Sequence, residues 1–242
     1  MVISVINQKG GVCKSTTAAN VGAYLTRKGH KVLFVDLDPQ GNLSDNLGAD
    51  PEQGTAIDLL SGSPAIQATP AGDIIPAAED LSLIGNSDIA PTALKTALQP
   101  VKRKYDFIIL DTPPALSIIT INALAASDRV IVPTQADAKS LKGIARLYQT
   151  IEAVRQTHNK TLRISGILLT RYNPRSIISR DMAALIQETA EAIGTKLYSS
   201  TIRECTAIKE AEALALDIFR YAPKSNGAAD YAAFTEEFLK EK

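Results

Sequence analysis

Short apolar runs alternate along the chain with longer segments whose apolar residues recur at helical spacing. Val2–Ile6 is a run rich in β-branched residues that stops just before a glycine pair, and Ser15–Lys28 then carries apolar residues three to four positions apart. A second apolar run, Lys31–Val35, follows directly. Strand, glycine-rich turn, helix and strand within about 35 residues predict a βαβ unit, which requires a parallel sheet and a right-handed crossover.

The same alternation returns in the second half of the chain, and its last helix presents aromatic residues on one side. Between the halves, Ala49–Ser87 is rich in proline and small residues, which favours short helices and a hairpin. With no internal repeat and no long linker, we expect one α/β domain over residues 1–242, a doubly wound, mostly parallel sheet with helices on both faces. The predicted strands are Phe107–Leu110, Arg129–Val132 and Arg163–Leu169; the predicted helices are Ser140–Thr157, Ile177–Ile193 and Ala228–Leu239, the last presenting Tyr231, Phe234 and Phe238.

Composition excludes several classes of protein. The 242 residues are 45% hydrophobic and carry 26 basic and 26 acidic side chains, so a disordered chain and a histone-like polyanion binder are excluded. No apolar run approaches the roughly 18 residues that a membrane span needs, and the first residues lack the basic segment of a secretory signal. Two cysteines, Cys13 and Cys205, make neither a disulfide framework nor a zinc site. We therefore expect a cytoplasmic protein.

A phosphate-binding loop is predicted between the first strand and the first helix. Glycines let backbone N–H groups turn toward phosphate oxygens, and the helix N-terminus adds a favourable dipole. Lys14 would reach the β- and γ-phosphates, and the Ser15 hydroxyl would bind Mg²⁺. The simpler alternative is a glycine-rich turn without a ligand. The predicted nucleotide-binding residues are Lys9, Gly10, Gly11, Val12, Cys13, Lys14, Ser15 and Thr16.

Two positions depart from the usual phosphate-loop pattern. Gln8 stands where that pattern opens with glycine, and Cys13 stands where glycine precedes the lysine, while Lys9 adds a second lysine. This deviant loop resembles that of the ParA/MinD ATPases, and the sequence is most similar to the small, Soj-like partition ATPases. The resemblance covers nearly the whole chain, and its other landmarks are Asp36–Asn42, Asp111–Pro114, Leu168–Asn173 and Tyr221–Ala228.

The resemblance assigns roles to the two lysines and to the aspartates. It implies that Lys9 crosses a dimer interface to the partner's nucleotide; a solvated surface lysine is the alternative. A cation supplied by the partner would make hydrolysis depend on dimerisation, because charge builds up on the γ-phosphate oxygens. The candidate catalytic residues are Lys9, Lys14 and Asp38, an aspartate that follows the second predicted strand.

Three aspartates follow predicted strands. Asp38 would orient the attacking water, as the matching aspartate does in the family, and Asp111 would hold Mg²⁺ through water. Asp36 would tune the magnesium shell or cap the following turn. Ordinary capping of loops at strand ends is the simpler alternative for all three. Adenine contacts are expected from the loops after Leu169 and around Ile202.

Cys13 leaves several interpretations open. Its β-carbon could strain a backbone position usually held by glycine, or crowd the γ-phosphate or the partner's lysine. The loop could equally tolerate this small side chain and hydrolyse more slowly. A redox-sensing thiol is a further hypothesis, since Lys9, Lys14 and the helix N-terminus would depress its pKa.

Such an ATPase could act on one of three targets: a shared iron–sulfur cluster, a membrane or DNA. A shared iron–sulfur cluster, as in the nitrogenase iron protein, would need two well-placed cysteines per chain. A MinD-like membrane cycle would need a basic amphipathic tail, whereas Ala228–Lys242 is slightly acidic. Between Lys160 and Lys224 ten basic residues face seven acidic ones, a modest bias that favours DNA, although a solvated surface is the alternative for each residue. In small ParA proteins the DNA contacts come from this third of the chain, and the best matches here are Arg203, Lys209, Arg220 and Lys224.

The resemblance implies a weak, Mg²⁺-dependent ATPase that forms a homodimer with ATP and binds double-stranded DNA without sequence preference. DNA binding through phosphates would be salt-dependent, and a dimer would double the basic patch. A ParB-like partner would stimulate hydrolysis and release the DNA. The expected location is cytoplasmic, and nucleoid-associated in the ATP state, with no membrane partner. We expect no N-terminal DNA-binding segment before the first strand, and the cargo, whether plasmid, chromosome or protein assembly, stays open.

Overall fold

One seven-stranded sheet forms the centre of the molecule in a computed structural model that describes residues 1–241. Lys242, the last residue of the slightly acidic segment Ala228–Lys242, lies outside the described residues. The strand order is β3-β4-β2-β5-β1-β6-β7, and every neighbouring pair is parallel except the β3–β4 hairpin. The strands are β1 (Val2–Val5), β2 (Val32–Asp36), β3 (Gln67–Thr69), β4 (Gly72–Ile75), β5 (Phe107–Asp111), β6 (Arg129–Thr134) and β7 (Arg163–Leu169).

Helices cover both faces of the sheet, so the predicted doubly wound α/β fold is confirmed. Alternate residues of β2 point to opposite faces: Phe34 packs in the cluster that contains α1 and α11, and Leu33 and Val35 pack with α3 and α4. The helices are α1 (Lys14–Arg27), α2 (Asn42–Leu47), α3 (Ala56–Ser61), α4 (Ala93–Ala97), α5 (Gln99–Lys102), α6 (Ile118–Ala126), α7 (Ala138–Thr157), α8 (Ile177–Ala192), α9 (Thr206–Ala213), α10 (Ile218–Tyr221) and α11 (Asn226–Leu239).

Two helices, α7 and α11, begin two residues earlier than predicted because a capping residue sets their starts. Helix α7 begins two residues earlier than predicted because Asp137 accepts the backbone N–H of Ser140 at 3.0 Å. Helix α11 begins at Asn226 because Ser225 accepts the N–H of Ala228 at 3.2 Å. The aromatic side of α11 is buried in the core, as predicted. Within residues 1–241, no helix is both long and apolar enough to cross a bilayer.

The carboxyl ends of β1, β2 and β5 meet at one edge of the sheet. Val5 and Asp36 each lie opposite Asp111 in the parallel register. Helix α1 starts at this edge and runs back along the sheet, where Gly22 permits close contact: a β-carbon there would lie 2.2 Å from the Phe34 ring. The loops at this edge therefore converge on the N-terminus of α1.

Candidate nucleotide site

The loop between β1 and α1 is held by side chains from three neighbouring segments. The Asn7 side chain accepts the N–H of Lys9 at 2.9 Å and donates to the carbonyl of Pro133 at 2.8 Å. Gln135 donates to the Gly11 carbonyl at 2.9 Å, and the Thr170 hydroxyl donates to the carbonyl of Val12 at 3.1 Å. These contacts hold the loop in one conformation, which lowers the ordering cost of binding a phosphate.

Two residues of the loop have left-handed backbone conformations. Gly11 has φ of 72°, and Cys13, which immediately precedes α1, has φ of 63°. For cysteine this conformation costs roughly 1 kcal/mol that glycine would not incur. Burial raises the pKa of the Cys13 thiol, and the nearby Arg171 opposes that rise only in part. The expected depression of the thiol pKa is therefore wrong, and with it the basis for a redox-sensing thiolate.

A cavity of about 410 Å³ opens above the loop. Among the residues that the structure describes, Lys14 is the one cation in its lining, and Lys14 is only 7% exposed. Burial lowers the pKa of the Lys14 ammonium, whereas the negative charges of Asp111 and Asp38 oppose that change. The lining comprises Gly10, Gly11, Cys13, Lys14, Ser15, Thr16, Asp38, Gln40, Asn42, Asn46, Pro114 and Glu212.

Asp36 has a structural role. Its carboxylate accepts the N–H of Asp38 at 3.1 Å and both the N–H and the hydroxyl of Ser44, at 2.9 and 2.8 Å. Burial raises the pKa of Asp36, and these hydrogen bonds oppose the rise. Since three donors occupy this carboxylate, it caps the turn after β2, which is one of the two roles predicted for it.

Asp38 lines the cavity, whereas Asp111 lies buried beside Lys14 and Ser15. Asp38 is 5% exposed, lines the cavity and accepts the N–H of Gln40 at 3.1 Å. Asp111 is fully buried, and its Oδ2 has no hydrogen-bond partner among residues 1–241. Burial raises the pKa of Asp111 well above its usual value, the charge of Asp36 adds to the rise, and Ser15 and Lys14 oppose it.

The orphaned oxygen of Asp111 is the feature that fits a metal. A buried carboxylate oxygen without a partner is costly unless a cation or an ordered water satisfies it. Mg²⁺ prefers oxygen ligands and keeps several of its waters, so the Ser15 hydroxyl and a water-bridged Asp111 suit it. The chemistry of these donors therefore matches the predicted magnesium site.

Lys9 is held away from the cavity by its own chain. Its ammonium forms an ion pair with Asp137, the capping residue of α7, and Lys9 does not contribute to the cavity lining. Partial burial opposes ionisation of Asp137, but hydrogen bonds from Lys9 and Ser140 outweigh it and keep the pKa of that carboxyl below its usual value. The role of Asp137 could not be predicted from the sequence, since 128 residues separate it from Lys9.

A second cavity of about 160 Å³ adjoins the first. Its lining shares Cys13, Thr16 and Glu212 with the larger cavity and includes Arg171 and Ile202, from the two loops where adenine contacts are expected. The Thr16 hydroxyl donates to the carboxylate of Glu212 on α9, a contact between residues 196 apart that no sequence pattern indicates. Because they share these lining residues, the two cavities lie side by side at the start of α1.

The four residues predicted to contact DNA are all exposed but not equally available. Arg203 donates two hydrogen bonds to Asp230, at 2.6 and 2.9 Å, and Lys209 lies 3.1 Å from Glu204, which also pairs with Arg171. Arg220 and Lys224 have no ion pair within the described part of the chain. The structure therefore leaves two of the four with free charges.

The chain is similar to known ATPases over nearly its whole length. Residues 1–164 match a protein-family model described as an AAA domain. The chromosome-partitioning ATPase Soj of Thermus thermophilus is 40% identical over 245 residues, which cover 98% of this chain and 94% of Soj. A Mycobacterium smegmatis structure described as cobyrinic acid a,c-diamide synthase, with bound ATP analog and magnesium, has a TM-score of 0.82 at 34% identity, covering 99% of this chain and 94% of that one. The cell division ATPase MinD of Pyrococcus furiosus has a TM-score of 0.82 at 27% identity, covering 100% and 99% of the two chains. The chain thus belongs to the ParA/MinD family of P-loop ATPases, among its Soj-like members.

Proposed function

We propose that this protein is a Mg²⁺-dependent ATP hydrolase that dimerises around ATP, binds DNA without sequence preference and releases it after hydrolysis. The function it would serve is partition of DNA or positioning of another cargo, with residues 1–242 acting as one ATPase domain. The observation that carries the proposal is the cavity above the phosphate loop, where the buried Lys14 ammonium faces Asp38 and Asp111.

The phosphates of ATP suit this cavity. Backbone N–H groups at the start of α1 and the Lys14 ammonium supply the positive potential that a triphosphate needs. Ser15 and Asp111 would hold Mg²⁺, which neutralises charge on the β- and γ-phosphates when bound. The adenosine would extend over Cys13 and Thr16 into the smaller cavity beside Arg171 and Ile202.

Asp38 is the residue proposed to orient the attacking water. Its backbone and carboxylate are both anchored, by Asp36 and by the N–H of Gln40, so that the carboxylate stays at the wall of the cavity. A positioned carboxylate of this kind contributes about 10²–10⁴-fold to hydrolysis.

Dimerisation would complete the site. Within the described part of one chain, Lys14 is the single cation in the cavity, and Lys9 is paired with Asp137. Transfer of Lys9 to the partner's nucleotide would add the missing positive charge where the transition state builds up negative charge. A single subunit would therefore hydrolyse ATP weakly, and an activating partner of the ParB type would accelerate the dimer.

The affinity for DNA would depend on the nucleotide state, because a dimer makes more contacts with DNA phosphates than a monomer does. Exposed Arg220 and Lys224 would add phosphate contacts, joined by Arg203 and Lys209 once their acidic partners are displaced. A dimer doubles those contacts, and avidity makes the doubling much more than twofold in affinity. Binding of this kind would place the protein in the cytoplasm and on the nucleoid when ATP is bound.

Retention of DNA in three nucleotide states tests the proposal. Binding to a random-sequence duplex is measured without nucleotide, with ADP and with ATP and Mg²⁺, each at low and moderate salt. Retention with ATP alone, lost as salt rises, is the expected result. Absence of DNA binding in every state would refute it, and binding to anionic vesicles instead would favour the MinD-like membrane cycle.

A further inference from the structure

The outward face of α7 carries a stripe of three basic residues, Lys139, Lys142 and Arg146, called here the α7 stripe. Their spacing of three and four residues places them on one side of the helix, and all three are exposed. The opposite side of α7 packs in the core through residues that include Ile144, Leu147 and Ile151. The stripe is therefore a fixed surface on a rigid, twenty-residue helix.

The α7 stripe has no acidic partner within residues 1–241. None of its three cations takes part in an ion pair, in contrast to Arg203 and Lys209. The acidic residues of this segment are committed elsewhere, since Asp137 pairs with Lys9 and Glu152 pairs with Arg155. Like charges left together without counter-charges raise the free energy of the isolated protein and favour binding of an anion.

The stripe lies on the side of the molecule where the nucleotide site opens. Helix α7 follows β6 and begins at the carboxyl edge of the sheet, and the Thr150 hydroxyl on α7 accepts a hydrogen bond from Gln8 in the phosphate loop at 3.4 Å. Helix α8 follows the neighbouring parallel strand β7 and begins at the same edge. Arg175, in the loop just before α8, and Arg180, in the first turn of α8, are exposed and free of ion pairs among the described residues.

We propose that the α7 stripe, extended by Arg175 and Arg180, is a surface that binds the phosphate backbone of DNA, in addition to the C-terminal basic residues. This inference rests on the proposed function, because it assigns residues to the DNA binding proposed there. The stripe spans about 10 Å along the helix, and a duplex presents one phosphate per roughly 1.7 Å of its axis, so all three cations reach phosphates at once. Its position beside the phosphate loop places these DNA contacts close to the candidate nucleotide site.

The chemistry of the stripe favours DNA over a lipid surface. Beside and beyond the three cations, the exposed residues of α7 include Ala145 and Gln149, which offer no large apolar group to insert into a bilayer. Exposed apolar residues do occur nearby on α8, at Ile177 and Ile178. The test therefore includes vesicles as a separate arm.

Charge reversal of the stripe is the test. The variant Lys139→Glu/Lys142→Glu/Arg146→Glu is compared with the wild type for binding to a random-sequence duplex with ATP and Mg²⁺ over a series of salt concentrations. We expect affinity to fall at least ~10-fold at about 100 mM salt, and the log–log salt dependence to lose about one unit of slope per contact removed. The milder variant with glutamine at the same three positions should show a smaller loss in the same direction.

A matched control variant distinguishes an effect of the α7 stripe from an effect of the change in net charge. The variant Lys95→Glu/Arg103→Glu/Lys104→Glu reverses three exposed, unpaired cations that lie in α4 and just before β5, away from the phosphate loop. Thermal unfolding and ATP binding, unchanged in all variants, would show that each one folds. We expect the control to lose much less DNA affinity than the stripe variant.

Four results would overturn the inference. The stripe variants could bind DNA with the wild-type affinity and slope, or the control could lose as much affinity as the stripe variant. Stripe-dependent binding to phosphatidylglycerol vesicles without DNA binding would assign the surface to lipid. Failure of the wild type to bind DNA in any nucleotide state would refute the proposed function as well, whereas the first two results would leave it standing.

Discussion

The ion pair between Lys9 and Asp137 restrains the lysine that the proposed dimer needs, so its removal should strengthen dimerisation. The substitution Asp137→Asn keeps an oxygen that can cap α7, because asparagine is as good an N-cap as aspartate. It removes the charge that holds Lys9. The cap uses Oδ1 of Asp137 and the ion pair uses Oδ2, so one substitution separates the two functions.

The size of the effect follows from the exposure of the pair. The two side chains are 27% and 38% exposed, so the pair contributes about 0.5–1 kcal/mol in each subunit. A dimer releases two lysines, which gives about 1–2 kcal/mol or a dimer dissociation constant lowered about 5- to 30-fold. The loss of negative charge at the start of α7 affects monomer and dimer alike and cancels in this constant.

Sedimentation velocity with a non-hydrolysable ATP analogue and Mg²⁺ measures the dissociation constant directly. The same substitution in a Lys9→Ala background completes a double-mutant cycle and should have no effect there. An unchanged or weakened dimer in Asp137→Asn would refute the restraint. An equal change with and without Lys9 would show that the effect comes from the helix cap instead.

Three further predictions concern the phosphate site and the packing beneath it. Lys14→Ala should weaken ATP binding ~10- to 100-fold in calorimetry, because a charge-assisted contact is lost, and wild-type affinity would contradict the site. Asp38→Ala should keep ATP binding but lower hydrolysis about 100-fold or more, so that ATP traps a dimer in size-exclusion chromatography; a monomer would count against this role. Gly22→Ala should lower the free energy of unfolding measured with urea by about 1–3 kcal/mol, because its β-carbon would meet the Phe34 ring at 2.2 Å. The control Gly143→Ala, whose β-carbon has its nearest contact at 3.8 Å, should be neutral or stabilising.

Sequence patterns correctly predicted the structural features that depend on residues close together in the sequence. The βαβ unit, the phosphate loop and the buried aromatic side of α11 each follow from periodicity within a segment. The starts of α7 and α11 were each predicted two residues too late, since the caps Asp137 and Ser225 depend on one side chain and not on a period. The short helices α6, α9 and α10 were not predicted, because each lies in a run too brief or too uniformly apolar to show a period.

Contacts between distant residues could not be predicted in this way. Lys9 and Asp137 lie 128 residues apart, and Thr16 and Glu212 lie 196 apart, so their pairing depends on the assembled sheet. The same holds for Arg203, whose charge is engaged by Asp230 on α11. For Cys13, the residues nearby suggested a lowered thiol pKa, but burial, which only the fold reveals, dominates and raises it.

The distribution of charge around the phosphate loop explains why one subunit would be a poor ATPase. Asp36 is satisfied by three donors, so the carboxylates left to balance are those of Asp38 and Glu212 in the lining and the buried Asp111, and among the described residues of the lining only Lys14 is a cation. A triphosphate adds further negative charge, of which Mg²⁺ would compensate only a part. Lys9 is the nearest additional cation in the loop, yet its ion pair with Asp137 holds it out of the cavity lining of its own chain. Exchange of that ion pair for a contact across a dimer would couple hydrolysis to assembly, because neither lysine alone balances the charge of the transition state.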